Sequence, residues 1–134
     1  MVGTAELTEL PRADCLRLLA AGVVGRVVFN DVAIPAAHPV VYLLDGEEIV
    51  FRIAGGGKLS ATTLHRVVAF QVDEIDLDAG TGWSVLGVGE AYEVTKPGRL
   101  ADLAARMPAP WSANRDGHTV AIPLQRLTGR RLCT

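Results

Sequence analysis

What this chain lacks narrows its chemistry before anything it contains. It has no excess of positive charge: 13 Lys and Arg against 15 Asp and Glu leave a formal net charge of -2. That balance offers no electrostatic footprint to a nucleic acid or an anionic membrane surface. It has no unbroken apolar run long enough to span a bilayer. The opening MVGTAELTELPRAD lacks a basic start followed by an apolar block, so it does not read as a signal peptide, and the expectation is a cytoplasmic protein. Only Cys15 and Cys133, with His38, His65 and His118, are available as soft metal ligands, and no pair of them has metal-ligand spacing. No Ser/His/Asp or Cys/His constellation stands out. There is no internal repeat and no low-complexity linker. A chain so poor in catalytic groups fits chemistry carried by a cofactor, with the protein supplying orientation and electrostatics.

What is present is apolar. Hydrophobic residues make up 49% of the 134 residues, and the mean hydropathy is +0.27. The length suits one domain, residues 1–134, with a core of its own. The hydropathy is high for a small monomer. It predicts that part of the apolar surface is covered by a partner subunit or a flat ligand.

Periodicity and turn residues divide the chain as follows. PRADCLRLLAAG reads as a helix that Gly22 stops, with an apolar stripe through Cys15, Leu16, Leu18 and Leu19. Val23 to Phe29 is a β-branched strand, and NDVAIPAAH reads as a loop. PVVYLLD and EIVFRIA are strands joined through Asp45-Gly46, a strong hairpin signal. RVVAFQVDEID is a strand, and Trp83 to Thr95 reads as one long strand whose Gly87 and Gly89 mark a bend or a close backbone approach. KPGRLADLAARM is a second helix, and TVAIPL and QRLTGRRL close the chain as strands. The sum is about six or seven short strands with helices outside, a closed or nearly closed antiparallel barrel.

One stretch carries a binding signal. IAGGGKLSAT places three glycines before Lys58, with Arg52 on the strand that enters the loop and Ser60 and Thr62 after it. Backbone N–H groups free of Cβ atoms can converge on an anion, and the two cations add charge and a bidentate fork. The pattern is that of a phosphate site. It is neither a GxxxxGK[ST] loop, because Leu59 follows Lys58, nor a GxGxxG loop. A hairpin end with a solvated lysine is the other reading of the same residues.

GRVVF, PVVYLLDGEEIVFRIAGGGKL, VVAFQVDEID, TGWSVLGVGEAYEVTKP and LTGRRL occur in that order over nearly the whole chain. Together they resemble the pyridoxamine 5'-phosphate oxidase-like flavoproteins, the FMN-binding split-barrel superfamily. The nearest likeness is to its small actinobacterial and nitroimidazole-resistance-like members. The resemblance implies a mainly β fold, a six-stranded antiparallel split β-barrel with peripheral helices, that forms a homodimer. It implies FMN, or a deazaflavin, in a groove between subunits, and a small planar substrate on the ring. The phosphate would fall to the Arg52–Lys58 loop, with Lys58 matching the family lysine and Leu59 following it. Ile53 and Gly57 stand where relatives carry side-chain donors, so the backbone there would do more of the work. Val40, Val41 and Tyr42 match the strand under the ring, where backbone groups meet its polar edge. Trp83, Ser84 and Val85 match the stretch beside the flavin, often from the other subunit.

These residues lead to an FMN-dependent oxidoreductase. The alternatives are a deazaflavin-dependent reductase, whose longer charged tail would draw on Arg66 besides Arg52 and Lys58, and a module that binds flavin or haem without turnover. His38 precedes Pro39 on a loop and reads either as a surface residue or, since the resemblance implies that this loop edges the substrate side of the ring, as a proton donor; His65 and His118 read as surface residues. Trp111 reads as an anchor of its Pro-rich loop, and Arg130 and Arg131 as family-like C-terminal arginines or surface charges.

Overall fold

The computed structural model describes residues 6–54, 62–107 and 117–133. Among these, nine strands and two helices follow one another. They are β1 (Glu6–Glu9), α1 (Arg12–Ala21), β2 (Val24–Asp31), β3 (Ile34–Asp45), β4 (Glu48–Ala54), β5 (Val67–Asp76), β6 (Thr81–Glu90), β7 (Tyr92–Glu93), α2 (Pro97–Arg106), β8 (Gly117–Pro123) and β9 (Arg126–Cys133). The strands form one antiparallel sheet in the order β1-β9-β6-β5-β2-β3-β4-β8-β7. No helix among the described residues is long and apolar enough to cross a membrane.

The sheet curls on itself. β6 and the end of β8 lie far apart in strand order, yet a Cβ on Gly89 would stand 1.8 Å from the Pro123 carbonyl oxygen. A Cβ on Gly87 would stand 2.4 Å from Leu124. No side chain fits at that approach, so the two glycines let the sheet close into a split barrel. This is the expected mainly β fold, with nine strands rather than six, because the short β1 and β7 add to the edges.

The period of two separates the faces. Val27 of β2, Val68, Phe70 and Val72 of β5, Val85 of β6, Ile49, Phe51 and Ile53 of β4, and Val120 and Ile122 of β8 point inward and are buried. α1 closes one mouth of this core with Cys15 and Leu19, four residues apart on one helical face. Gly22 ends the helix, and its missing Cβ leaves room for the Tyr42 hydroxyl, which would meet that atom at 2.2 Å. Tyr42 thereby donates to the Leu19 carbonyl oxygen at 2.6 Å and packs edge-on to Phe70 at 4.8 Å. Burial pushes the Tyr42 phenol up to about 12.

A second, smaller core lies outside β4 and β8. There α2 lays Leu103 over Val50 and Ala121, with Val94 and Met107 completing the cluster. Polar bonds hold the helix down. The Arg99 guanidinium reaches Asp45 at 3.1 Å, Glu48 at 2.8 Å and the Tyr92 hydroxyl at 2.7 Å. Tyr92 in turn donates to Glu48. Arg106 donates to Asp45 at 2.8 Å and to Asp102 at 3.1 Å. The Arg106 and Arg99 hydrogen bonds hold the Asp45 carboxyl below its ordinary range, against the opposing effect of burial.

Two expectations are corrected. NDVAIPAAH is not a loop but the tip of the β2–β3 hairpin, with Asp31 paired to Ile34. The turn residues are Val32 and Ala33, at φ 49° and 66°, where Asn-Gly would be usual, so the turn gave no compositional signal. Pro35, within the stretch read as a loop, and Pro39, at the start of the strand read from the sequence, both lie on β3. They are tolerated because, among the described residues, residues 34–41 pair with β2 alone, and the absent N–H of each proline falls on the side away from β2. The second correction concerns Trp83 to Thr95. The strand breaks at the buried Ala91, whose N–H and carbonyl bond to Arg66 and His65, and β7 then crosses to pair with β8.

Candidate functional site

β4 carries the first part of the expected site. Its alternation sends Phe51 and Ile53 into the barrel core and turns Arg52 to the opposite face with Val50. Arg52 is half-buried and lies directly across from the buried Thr119 of β8, so an arginine and a threonine share one face near the end of the strand pair. Gly57, Lys58 and Leu59, like Trp111, lie outside the described residues.

The neighbouring strand carries the second part. Val41 faces outward across from Val24, whereas Val40 packs on the inner core across from Gly25. The Tyr42 side chain is committed to the core, and its backbone N–H donates to the Val23 carbonyl at 3.0 Å. These residues and Arg52 and Ile53 are neighbours through the β3–β4 pairing of Tyr42 with Phe51.

Trp83, Ser84 and Val85 stand elsewhere. They lie on β6, separated from β3 by β5 and β2, roughly 14 Å along the sheet at the usual strand spacing. Val85 is fully buried, and Trp83 packs against the inner core. Ser84 faces outward and accepts a hydrogen bond from Gln71 at 3.3 Å. One chain therefore holds the two halves of the expected site on separate parts of its sheet.

Between these halves the outer face is mixed, with exposed aliphatic residues around Arg26 and Gln71. Val28 pairs with Ala37 on one side and with Ala69 on the other, and Ala69 pairs with Val88. In the adjoining row Pro39, Arg26, Gln71 and Leu86 follow one another across the sheet. Val24 is 56% exposed, Val67 66% and Leu86 40%. Arg130, opposite Ser84, is exposed beside this face, while Arg131 alternates to the other side.

Sequence reasoning overlooked one pair. His118, read as a surface residue, lies across from Ile53 and bonds through Nδ1 to Glu93 at 2.8 Å, an arrangement that orients the imidazole. The partners are 25 residues apart and no local pattern joins them. His38 is exposed on the open stretch of β3. Among the described residues, no three His, Cys, Asp or Glu side chains gather to hold a metal ion.

Comparison with known proteins agrees with this architecture. The family model described as pyridoxamine 5'-phosphate oxidase matches residues 11–131. The uncharacterized Mycobacterium tuberculosis protein Rv0080 is 36% identical over 132 residues, covering 95% of this chain and 86% of that protein. The structure of the FAD binding protein from Mycobacterium smegmatis superposes with a TM-score of 0.75 at 25% identity, covering 94% of this chain and 98% of that one. A Corynebacterium glutamicum protein described as a pyridoxamine 5'-phosphate oxidase superposes with a TM-score of 0.79 at 29% identity, covering 93% and 92%.

Proposed function

The chain belongs to the pyridoxamine 5'-phosphate oxidase family, and on that premise we propose that it is a flavin-dependent oxidoreductase acting as a homodimer in the cytoplasm. It takes the flavin mononucleotide unit, either as FMN or as part of a larger cofactor, and a deazaflavin is the alternative on the same fold. The observation that carries this reading is the face of β2, β5 and β6 on which Val24, Val67 and Leu86 are exposed, and which separates the two halves of the expected site. A second copy docked on that face would cover it. It would also supply Trp83, Ser84 and Val85 to the groove edged by Val40, Val41, Tyr42, Arg52 and Ile53 of the first copy. The FAD bound by the Mycobacterium smegmatis relative supports a flavin as the ligand.

The described residues fit a flavin phosphate. Arg52 carries a guanidinium fork on the strand face it shares with Thr119, residue types suited to an anion rather than to an apolar group. In this reading Lys58 and the backbone at Gly57 and Leu59 complete the cradle. Apolar strands on both sides exclude water from the groove, which strengthens each polar contact inside it. The bound flavin supplies hydride transfer to or from a small planar substrate. The chain holds and orients both, and His38 stands at the substrate edge as proton donor.

An absorbance spectrum of the purified protein, titration with FMN, FAD and a deazaflavin cofactor, and sedimentation of the complex test the reading. A saturable flavin complex of dimer mass, reducible by an external reductant, is expected. Bound flavin that no reductant reduces would make the protein a binding module instead. Failure of all three cofactors to bind would reject the flavin site. The Arg52→Ala, Lys58→Ala double variant should lose cofactor affinity.

A further inference from the structure

β2 and β5 stop pairing before they end. Their register runs from Arg26–Gln71 to Val28–Ala69 and goes no further, although β2 continues to Asp31 and β5 begins at Val67. The start of β5 is drawn the other way. The Arg66 carbonyl accepts from Ala91 N–H at 2.9 Å, and His65 N–H donates to the Ala91 carbonyl at 2.8 Å. His65 takes a left-handed φ of 61° at this turn, and Arg66 N–H donates to the Thr63 carbonyl at 3.2 Å. The two strands therefore splay, and a cavity of about 280 Å³ opens between them, lined by Asn30, Thr62, Arg66 and Val67.

The lining has a definite chemistry. An arginine, an asparagine and a threonine line it, and its one apolar member, Val67, is exposed on the outer face of the sheet. An arginine fork with neutral donors around it matches a phosphate or carboxylate. The cavity is smaller than the roughly 300–1,000 Å³ of a site that takes a whole ligand, so it suits one anionic group of a ligand seated mostly elsewhere. Thr62 also lies only a few residues beyond Lys58 in the chain, next to the segment to which the flavin phosphate is assigned above.

We propose that the Asn30–Thr62–Arg66 cavity receives a second anionic group of the cofactor, one that lies beyond its first phosphate, and so selects an extended flavin over FMN. This rests on the flavin reading given above and deepens it. Two cofactors carry such a group: FAD, through its second phosphate, and a deazaflavin cofactor, through its acidic tail. FMN carries none. Arg66 is exposed on the described surface, so its removal spares the fold.

The test is titration of wild type, Arg66→Ala and Asn30→Ala with FMN, FAD and a deazaflavin cofactor, followed by fluorescence. The wild type should bind FAD or the deazaflavin cofactor about tenfold more tightly than FMN, and the cofactor with that preference identifies the source of the anion. Arg66→Ala should lose about tenfold for that cofactor and less than about twofold for FMN. Asn30→Ala should act in the same direction but less. Equal losses for FMN and the longer cofactor would overturn the proposal, because Arg66 would then belong to the first phosphate or to the fold. Unchanged affinities in Arg66→Ala would overturn it, as would a wild type that binds FMN and neither longer cofactor. A wild type that binds none of the three would remove the flavin reading itself, and this inference with it.

Discussion

The outer surface of the curled sheet is finished in two different ways. Over β4 and β8 it is roofed: α2 buries Val50 and Ala121 completely, and Arg99 and Arg106 tie the roof to the β3–β4 turn. Over β2, β5 and β6 no helix covers the sheet among the described residues, and Val24, Val67 and Leu86 are left in solvent among polar neighbours such as Arg26 and Gln71. A chain that can cover one half with its own helix and leaves aliphatic side chains exposed on the other has a surface suited to something outside itself. The roofed half is where the chain spends its polar contacts and it also carries Arg52, while the open half lies between the two parts of the expected site.

Two leucines break or sharpen that contrast most strongly. Leu103, under the roof, is 1% exposed, and Leu103→Ala should cost about 2–5 kcal/mol in a denaturant titration. Leu86 on the open half is 40% exposed, and Leu86→Ala should cost under about 1 kcal/mol in the monomer while weakening self-association in sedimentation. Similar costs for both would abolish the distinction.

The next effect comes from the tie. Arg99→Ala leaves Asp45, Glu48 and Tyr92 without their shared cation, and should cost about 2 kcal/mol. Arg99→Lys should recover only part of this, because an ammonium cannot span three acceptors as the planar fork does.

The inner face gives a comparable effect at high pH. Tyr42 titrates at about 12 when folded and near 10 when unfolded. Its phenol is raised by burial, so its contribution is complete below pH 10 and is lost as the pH climbs from 10 through 12. Stability should fall over that interval in the wild type and fall less in Tyr42→Phe. At neutral pH that variant should be about 1 kcal/mol less stable through the lost bond to Leu19.

The smallest effect lies at the β2–β3 tip. Val32→Asn with Ala33→Gly relieves two left-handed residues and should add about 1 kcal/mol, read as a higher Tm.

Much of the fold was legible where chemistry is local. Asp45-Gly46 announced the β3–β4 hairpin, and Gly46 does adopt φ 62°. Gly87 and Gly89 announced a close approach, and their missing Cβ atoms are what admit Leu124 and the Pro123 carbonyl. The β2–β3 turn was illegible because Val32 and Ala33 hold a conformation that their side chains oppose, so the surrounding ladder, not the turn itself, determines it. Of the site, Arg52 was legible as a cation interrupting an apolar strand. The Glu93–His118 pair was not, since a curled sheet brings distant residues together without leaving a spacing to read. The same holds for Asn30 and Arg66, which meet only because two strands part.

The prolines of β3 have a consequence for how the molecule avoids its own kind. A strand that is open on one side is a template for main-chain pairing, and an apolar sheet beside it compounds the hazard. At Pro35 and Pro39 the side of β3 away from β2 carries no N–H where an incoming strand would seek a donor. A stray strand therefore finds a broken ladder along that margin. Copies of the chain can meet through the flat of the sheet, side chain against side chain, while growth into a continuous fibril is checked at the border.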